Sequence, residues 1–279
     1  MSIILFVKRE TSRKEEQLNQ KILALLANFP KAGHLAQLIL EDEEAHVIQE
    51  YANIVSIKRL GFNDHGPVHM RKATLNALTI MQLLQNAGIK PSLEEDGAGE
   101  YEDSLCAVVL AGFLHDAGMT MTRSMHEQTA LILDYSMINR FLDAVYGKDP
   151  QRYIVRSLAL EAILGHMANV PINSVEAGVI LVADGCDMEK GRARSPLFMQ
   201  NSRSEGRMGD IHRYSADEIE SVTIAAGKEK PIRITVEMNT TVGLFQVEEI
   251  LLKKVSKSPI LPHIELYAVI NGLETRRYL

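Results

Sequence analysis

The sequence predicts a mainly α-helical protein in which a helical bundle is followed by a small α+β domain. Apolar residues recur at spacings of three and four along most of the first 190 positions, which is typical of amphipathic helices. After about residue 216 the apolar period shortens to two, since Ile232, Ile234, Val236 and Met238 alternate with polar residues. This period indicates a strand that is buried on one face.

Helices are expected over 14–27 and 34–60, and the next one starts at Pro67, because proline is tolerated in the first turn of a helix. Residues 89–103 are acidic and contain glycine, so we expect a solvated loop there. Residues 104–114 are apolar on every side and should form the central helix of the bundle. Further helices are expected over 126–146, 151–168 and 174–190.

The C-terminal part of the chain has a different character. Residues 192–215 are rich in Arg and Ser, which is typical of a linker. The pattern that follows predicts strands over 221–226, 232–238 and 264–270, with a helix over 242–255 before the last of them. The order is β-β-α-β. We therefore divide the chain into an N-terminal extension (1–33), a helical metal-binding domain (34–195), a basic linker (196–215) and an α+β domain (216–279).

Composition excludes several classes of protein. The net charge of −6 gives no indication of nucleic-acid binding, which needs a basic field. No apolar run approaches the ~20 residues of a membrane span. Cys106 and Cys186 lie in apolar stretches without metal-ligand spacing, so we expect two small buried residues. These observations predict a cytoplasmic protein that does not act at a membrane.

The residues that carry chemistry are concentrated between 65 and 184. Five of the nine histidines lie between 65 and 166, at helix ends or in apolar helices, and two aspartates accompany them. Buried carboxylates are costly unless they are paired or bind a cation, and together with imidazoles they form a nitrogen and oxygen ligand set. Such a set, without thiolate, favours one or two divalent transition-metal ions, namely Mn, Fe, Co, Ni or Zn. The residues are His65, His69, His115, His126, His166, Asp116 and Asp184.

The segment Phe113-Leu-His-Asp-Ala-Gly118 resembles the signature of the HD superfamily of metal-dependent phosphohydrolases. His69 is similar to the upstream helical histidine of that superfamily, and Asp184 to its closing aspartate. The wider pattern over residues 60–195 is closest to the HD domain of ribonuclease-Y-type phosphodiesterases. The resemblance implies that His69, His115, Asp116 and Asp184 are the core metal ligands.

Three further histidines take their expected roles from the same resemblance. Histidines at the positions of His126 and His166 imply a second metal ion. His65 is similar in position to the proton-donating histidine of cyclic-nucleotide phosphodiesterases, so Asp116 and His65 are the expected catalytic residues. The chain departs from the ribonuclease-type pattern at Met167 and Met119, where that pattern has histidine and lysine.

Substrate contacts are expected near the end of the helical domain. Asp187 and Lys190 share a helix face with Asp184, and Arg192 and Arg194 follow in a segment with a local positive excess. Guanidinium groups match phosphate oxygens, so these residues are candidates for substrate binding. For Lys190, Arg192 and Arg194 a solvated helix end or linker is an equal alternative. Asp187 is better explained as a residue that orients a ligand or forms a salt bridge.

The predicted function is hydrolysis of a phosphoester, with a small phosphorylated substrate, most simply a nucleotide, attacked at phosphorus by metal-bound hydroxide. The alternative is a regulatory module that binds a nucleotide with little turnover while the C-terminal domain acts on a partner. A purely structural metal site is a third reading. We also expect a homodimer, because strand edges pair readily.

Overall fold

The described residues from 11 to 190 form the helical bundle, and those from 214 onward form a four-stranded sheet with a helical segment between its parallel strands, which confirms the predicted fold class. The computed structural model describes residues 11–60, 62–190, 214–272 and 274–279. The bundle consists of α1 (Arg13–Leu25), α2 (Pro30–Glu41), α3 (Glu43–Ile54), α4 (Pro67–Asn86), α5 (Ser92–Glu95), α6 (Tyr101–Leu114), α7 (His126–Tyr146), α8 (Gln151–Gly165) and α9 (Val175–Gly185).

Helix α6 is the centre of the bundle, as its apolar sequence predicts. Every residue from Asp103 to Leu114 is buried, and the helix packs against α2, α4, α8 and α9. The expected loop over 89–103 is wrong in two places, because α5 forms within it and α6 begins at Tyr101. The first turn of α6 is stabilised by a capping box in which the side chains of Glu100 and Asp103 accept each other's backbone N–H groups.

The bundle also includes α1, which lies within the residues predicted as an extension. Ile22 and Leu26 are buried in the same core as α4, against which α1 packs. A π-helical turn, Val55–Leu60, continues α3, and a 3₁₀ turn, Ala117–Thr120, follows α6. These two irregular turns pack against each other.

The sheet follows the predicted period of two. Strands β1 (Ile219–Ala226), β2 (Ile232–Met238), β3 (Ile264–Ile270) and β4 (Glu274–Arg277) lie in the order β1-β2-β3-β4. The outer pairs are antiparallel, and β2 and β3 are parallel, with Ile232 opposite Ile264. A helical segment over 244–257, here called α10, connects the two parallel strands. It comprises Leu244–Gln246, a π-helical turn Val247–Leu251 and Leu252–Lys257.

Strand β4 is an addition to the predicted β-β-α-β order. Its four residues are exposed, so it carries no apolar alternation that would mark it as a strand. The signal that was available is Asn271-Gly272, where both residues have positive φ, 50° and 68°. An Asn-Gly pair with this geometry is the strongest short sequence signal for a hairpin.

Several sequence expectations have simple outcomes. Cys106 and Cys186 are buried and free, as predicted. Within the described ranges, no helix has both the length and the apolar character that a bilayer crossing needs. Arg192, Arg194 and most of the predicted basic linker lie outside the described residues.

Candidate metal centre

The six predicted metal-ligand candidates meet at one place inside the helical bundle. Each lies at or near a helix end: the first turns of α4 and α7, the C-terminal ends of α6 and α8, and the last turn of α9. All six are buried, with exposures of at most 7%. The residues are His69, His115, Asp116, His126, His166 and Asp184.

Four of these residues form a first group of ligand atoms. The Nε2 atoms of His69 and His115 lie 3.2 Å apart. His69 Nε2 is also 3.2 Å from Asp116 Oδ2 and 3.2 Å from Asp184 Oδ1. His115 Nε2 lies 3.4 Å and 3.8 Å from the same two oxygens. Two imidazole nitrogens and two carboxylate oxygens therefore surround one point.

A second group lies on the other side of Asp116. The Nε2 atoms of His126 and His166 are 3.0 Å apart, and they lie 3.2 Å and 3.5 Å from Asp116 Oδ1. Asp116 therefore presents one oxygen to each group. The rings of His115 and His166 pack edge to face, with their centroids 4.8 Å apart, which joins the two groups.

The histidines are oriented by hydrogen bonds from their other ring nitrogens. The Nδ1 atoms of His115, His126 and His166 donate to backbone carbonyl oxygens of the preceding turn, at 3.0 Å, 2.9 Å and 2.7 Å. His69 Nδ1 donates to Asp187 Oδ2 at 2.7 Å. These bonds set the tautomer in which Nε2 is the acceptor, and they are the usual second partners of metal-bound histidines.

This arrangement fits divalent metal ions. Ligands that share one ion at about 2.1 Å are separated by roughly 3.0–3.4 Å, and most of the measured separations fall near that range. Two unprotonated ring nitrogens that face each other repel unless a cation or proton lies between them. The described residues contain two buried triads, and within each triad the ligand atoms lie within 4.8 Å of one another. The triads are His69, His115 and Asp184, and His115, Asp116 and His166.

The electrostatics favour the forms that bind metal. Burial lowers the pKa of His166 to about 4, so its imidazole is neutral at pH 7. Burial opposes ionisation of Asp116, but the surrounding histidines, chiefly His115 and His65, outweigh it and hold the pKa of that carboxyl well below its usual value. The pKa of Asp184 is lowered in the same way, chiefly by the ammonium group of Lys254.

His65 and Asp187 lie beside the two groups rather than in them. His65 Nδ1 donates to Asn63 O at 2.6 Å, and its ring lies 5.7 Å from that of His69. Asp187 accepts from His69 and is 3.5 Å from the ammonium group of Lys72. Asp187 therefore lies where it can orient the ring of His69.

Lys190, another predicted substrate contact, has its partners on the sheet. Lys190 forms an ion pair with Glu220 on β1, and its backbone N–H donates to Ile219 O at 2.9 Å. Its position at the junction of the domains explains the residue without phosphate binding. Arg192 and Arg194 lie outside the described residues, so their roles stay predictions.

Two cations near the centre were missed by sequence reasoning. Arg123 follows the 3₁₀ turn, and its guanidinium is 3.4 Å from His65 Nε2 and over the ring of Phe62 at 5.2 Å. Lys254, from α10 of the C-terminal domain, forms a buried ion pair with Asp184. A signal for Lys254 was present, because it falls on the same helix face as the apolar Val247 and Leu251.

The comparison with known proteins gives one relative. An uncharacterized protein of Methanocaldococcus jannaschii is 35% identical over 233 residues, which cover 84% of this chain and 87% of that protein. The chain belongs to the family of that archaeal protein. No family model and no solved structure matches the chain.

Proposed function

We propose that the chain is a metal-dependent phosphohydrolase of the HD type that cleaves a nucleotide phosphoester. The observation that carries the proposal is the position of Asp116, which offers one oxygen to His69 and His115 and the other to His126 and His166. A carboxylate that faces two imidazole pairs suits a centre with two ions, and two-ion centres are common in enzymes that cleave phosphoesters. Mn, Fe, Co, Ni and Zn are the candidate ions.

The ligand chemistry supports a catalytic rather than a structural role. The first group has two nitrogen and two oxygen atoms and no thiolate, whereas structural zinc sites are usually closed by cysteine. An ion held by these four ligands would supply a bound water with a pKa of ~7 and would polarise a phosphoryl oxygen. The chain's own residues orient the ligands, exclude bulk water from the buried centre and supply charge at its edge.

Substrate binding is assigned to the edge formed by His65, Arg123 and Phe62. A guanidinium group only donates hydrogen bonds, so His65 Nε2 acts as an acceptor toward Arg123. A phosphate bound by Arg123 would lie beside His65 Nε2, which suits His65 for the role of proton donor. Phe62 is 43% exposed and already lies under a guanidinium, which suits stacking with a nucleobase.

The test uses protein stripped with a chelator and reloaded with Mn²⁺, Co²⁺ or Zn²⁺. Hydrolysis of bis-p-nitrophenyl phosphate, p-nitrophenyl phosphate and a nucleotide panel should return with the ion. Asp116→Asn replaces one of the two carboxylate oxygens by an amide nitrogen that cannot bind metal, and His115→Gln removes an imidazole. Each should lower the rate by at least about a hundredfold. His34→Gln is the matched control, since His34 is exposed on α2.

An activity that is indifferent to the chelator and to both substitutions would contradict the proposal. The regulatory alternative predicts a different result, in which calorimetry detects nucleotide binding to the loaded protein but no product appears over hours. The ion pair between Lys254 and Asp184 supports this alternative, because it connects the C-terminal domain to the candidate metal centre.

A further inference from the structure

One buried cation of the C-terminal domain reaches into the metal centre of the helical domain. Lys254 lies on α10, and its side chain is only 10% exposed. Its ammonium group forms an ion pair with Asp184 Oδ2 and donates to the carbonyl oxygen of His166 at 2.9 Å. Both partners belong to candidate metal ligands, although Lys254 itself comes from the other domain.

The two oxygens of Asp184 face different partners. Oδ1 faces the first group, at 3.2 Å from His69 Nε2 and 3.8 Å from His115 Nε2. Oδ2 faces Lys254. The carboxylate is therefore turned so that only one of its oxygens is directed toward the ligand atoms of the first group.

The junction that carries Lys254 is closely packed. A Cβ atom at Gly185 would lie 3.1 Å from Lys254 Cδ, and one at Gly178 would lie 2.6 Å from Ser258 Oγ. Ser258 Oγ donates to Gly178 O at 3.0 Å, and the ammonium group of Lys257 donates to Ala168 O at 3.0 Å. Small residues on α9 thus allow α10 to approach and hold Lys254 in place.

We propose that Lys254 is a positioning residue through which the C-terminal domain makes Asp184 a one-oxygen metal ligand. This inference rests on the metal centre of the proposed function but not on turnover. A one-oxygen carboxylate among imidazoles suits a transition metal with few ligands. Ca²⁺ takes six to eight oxygen ligands and often binds both oxygens of a carboxylate. Lys254 therefore contributes to selection of transition metals against Ca²⁺.

The test measures the ratio of Mn²⁺ to Ca²⁺ affinity by calorimetry on metal-stripped protein. Lys254→Met should reduce this ratio by about tenfold, which is the usual size of effect when a partner of a metal ligand is removed. Both ions carry the same charge, so the loss of the ammonium charge itself largely cancels in the ratio. Lys253→Met is the matched control, because Lys253 is exposed and pairs with Glu249 on the outer face of α10. Its ratio should equal that of the unaltered protein.

An unchanged ratio in Lys254→Met overturns the inference and leaves the proposed function standing. Failure of the unaltered protein to bind either ion overturns both. Breaking a buried ion pair is strongly destabilising and can prevent folding, so a second measurement uses the unaltered chain. A crystal structure of the Mn²⁺-loaded protein should have one oxygen of Asp184 on the ion and the other on Lys254. Two oxygens of Asp184 on the ion would overturn the inference.

Discussion

We predict that replacing Gly118, in the 3₁₀ turn that follows the His115-Asp116 pair, lowers both stability and activity. This glycine lies where the 3₁₀ turn meets the start of α7. A Cβ atom built there would overlap the carbonyl oxygen of His126 and lie only 2.8 Å from Ala130 N. Both atoms belong to backbone, so no side-chain rotation relieves the contact. Gly118→Ala therefore requires α7 to move away from the turn.

The size of that movement follows from the distances. Ordinary non-bonded contacts of carbon begin at about 3.5 Å, so Ala130 N must retreat by at least about 0.7 Å and the His126 carbonyl by more. Overpacking of this kind costs about 1–3 kcal/mol of unfolding free energy. His126 is the first residue of α7 and moves with it. Because a misplacement near 1 Å can cost about a hundredfold in rate, we expect a loss of that order.

Two measurements check this prediction. Urea unfolding should give the lower stability, and elemental analysis after reloading with Mn²⁺ should find one ion per chain instead of two. Gly33→Ala is the control, because a Cβ at Gly33 meets Leu26 O at an ordinary 3.4 Å and alanine favours α2 by about 1 kcal/mol. A Gly118→Ala variant with unaltered stability and two ions would refute the reasoning.

Two further predictions concern pH and stability. Asp134 is fully buried, neither carboxylate oxygen has a partner among the described residues, and burial raises its pKa well above the usual value. The free energy of unfolding should therefore be highest at low pH and should decline as pH rises from about 4 through the raised pKa, by up to about 1.4 kcal/mol per pH unit. Asp134→Asn should remove this decline. If urea unfolding from pH 4 to 7 gives the same dependence of unfolding free energy on pH for both proteins, the prediction is contradicted. Burial opposes ionisation of Glu265, but the N–H of Lys230, the guanidinium of Arg233 and the N–H of Glu229 lower its pKa to about 2. Glu265→Gln should cost about 2 kcal/mol at pH 7, and the difference should fade as pH falls from about 4.5 to 2; equal stability at pH 7 would count against it.

The centre of the bundle was predictable because a fully buried helix is apolar on every side, which is visible in the sequence. A helix that is apolar on every side must be surrounded, and α6 is, so His115 and Asp116 at its end had to lie inside the protein. The other ligands are 10 to 68 residues away from Asp116 in sequence, and no period relates them. Their convergence was predicted from residue type and from a family resemblance, and the fold brings them together.

The remaining features depend on contacts between distant segments. Lys254 and Asp184 are separated by 70 residues, and a β-β-α-β pattern says nothing about where its helix packs. Nothing in the local sequence distinguishes Arg123 from other arginines in polar turns. Its role follows only from the fold, which places it beside His65. For Lys190 the sequence leaves phosphate binding and a solvated helix end as equal alternatives, and its partner Glu220 lies on a strand whose position the helical pattern does not predict.

The homodimer stays a prediction. Strands β1 and β4 are the two edges of the described sheet. Charged side chains on an edge strand oppose pairing with another chain, and β4 carries three of them, Glu274, Arg276 and Arg277. If the chain dimerises through its sheet, β1 is therefore the better candidate edge.

The proposed function depends most on Asp116, which offers one oxygen to each of two histidine pairs that would hold two ions. Anomalous X-ray scattering from crystals grown with Mn²⁺ tests this directly, because it locates each ion without reference to activity. We expect two peaks about 3.5–4 Å apart, one beside His69, His115 and Asp184 and one beside His126 and His166, with Asp116 between them. A single peak away from Asp116, or no peak among these six residues, would contradict it.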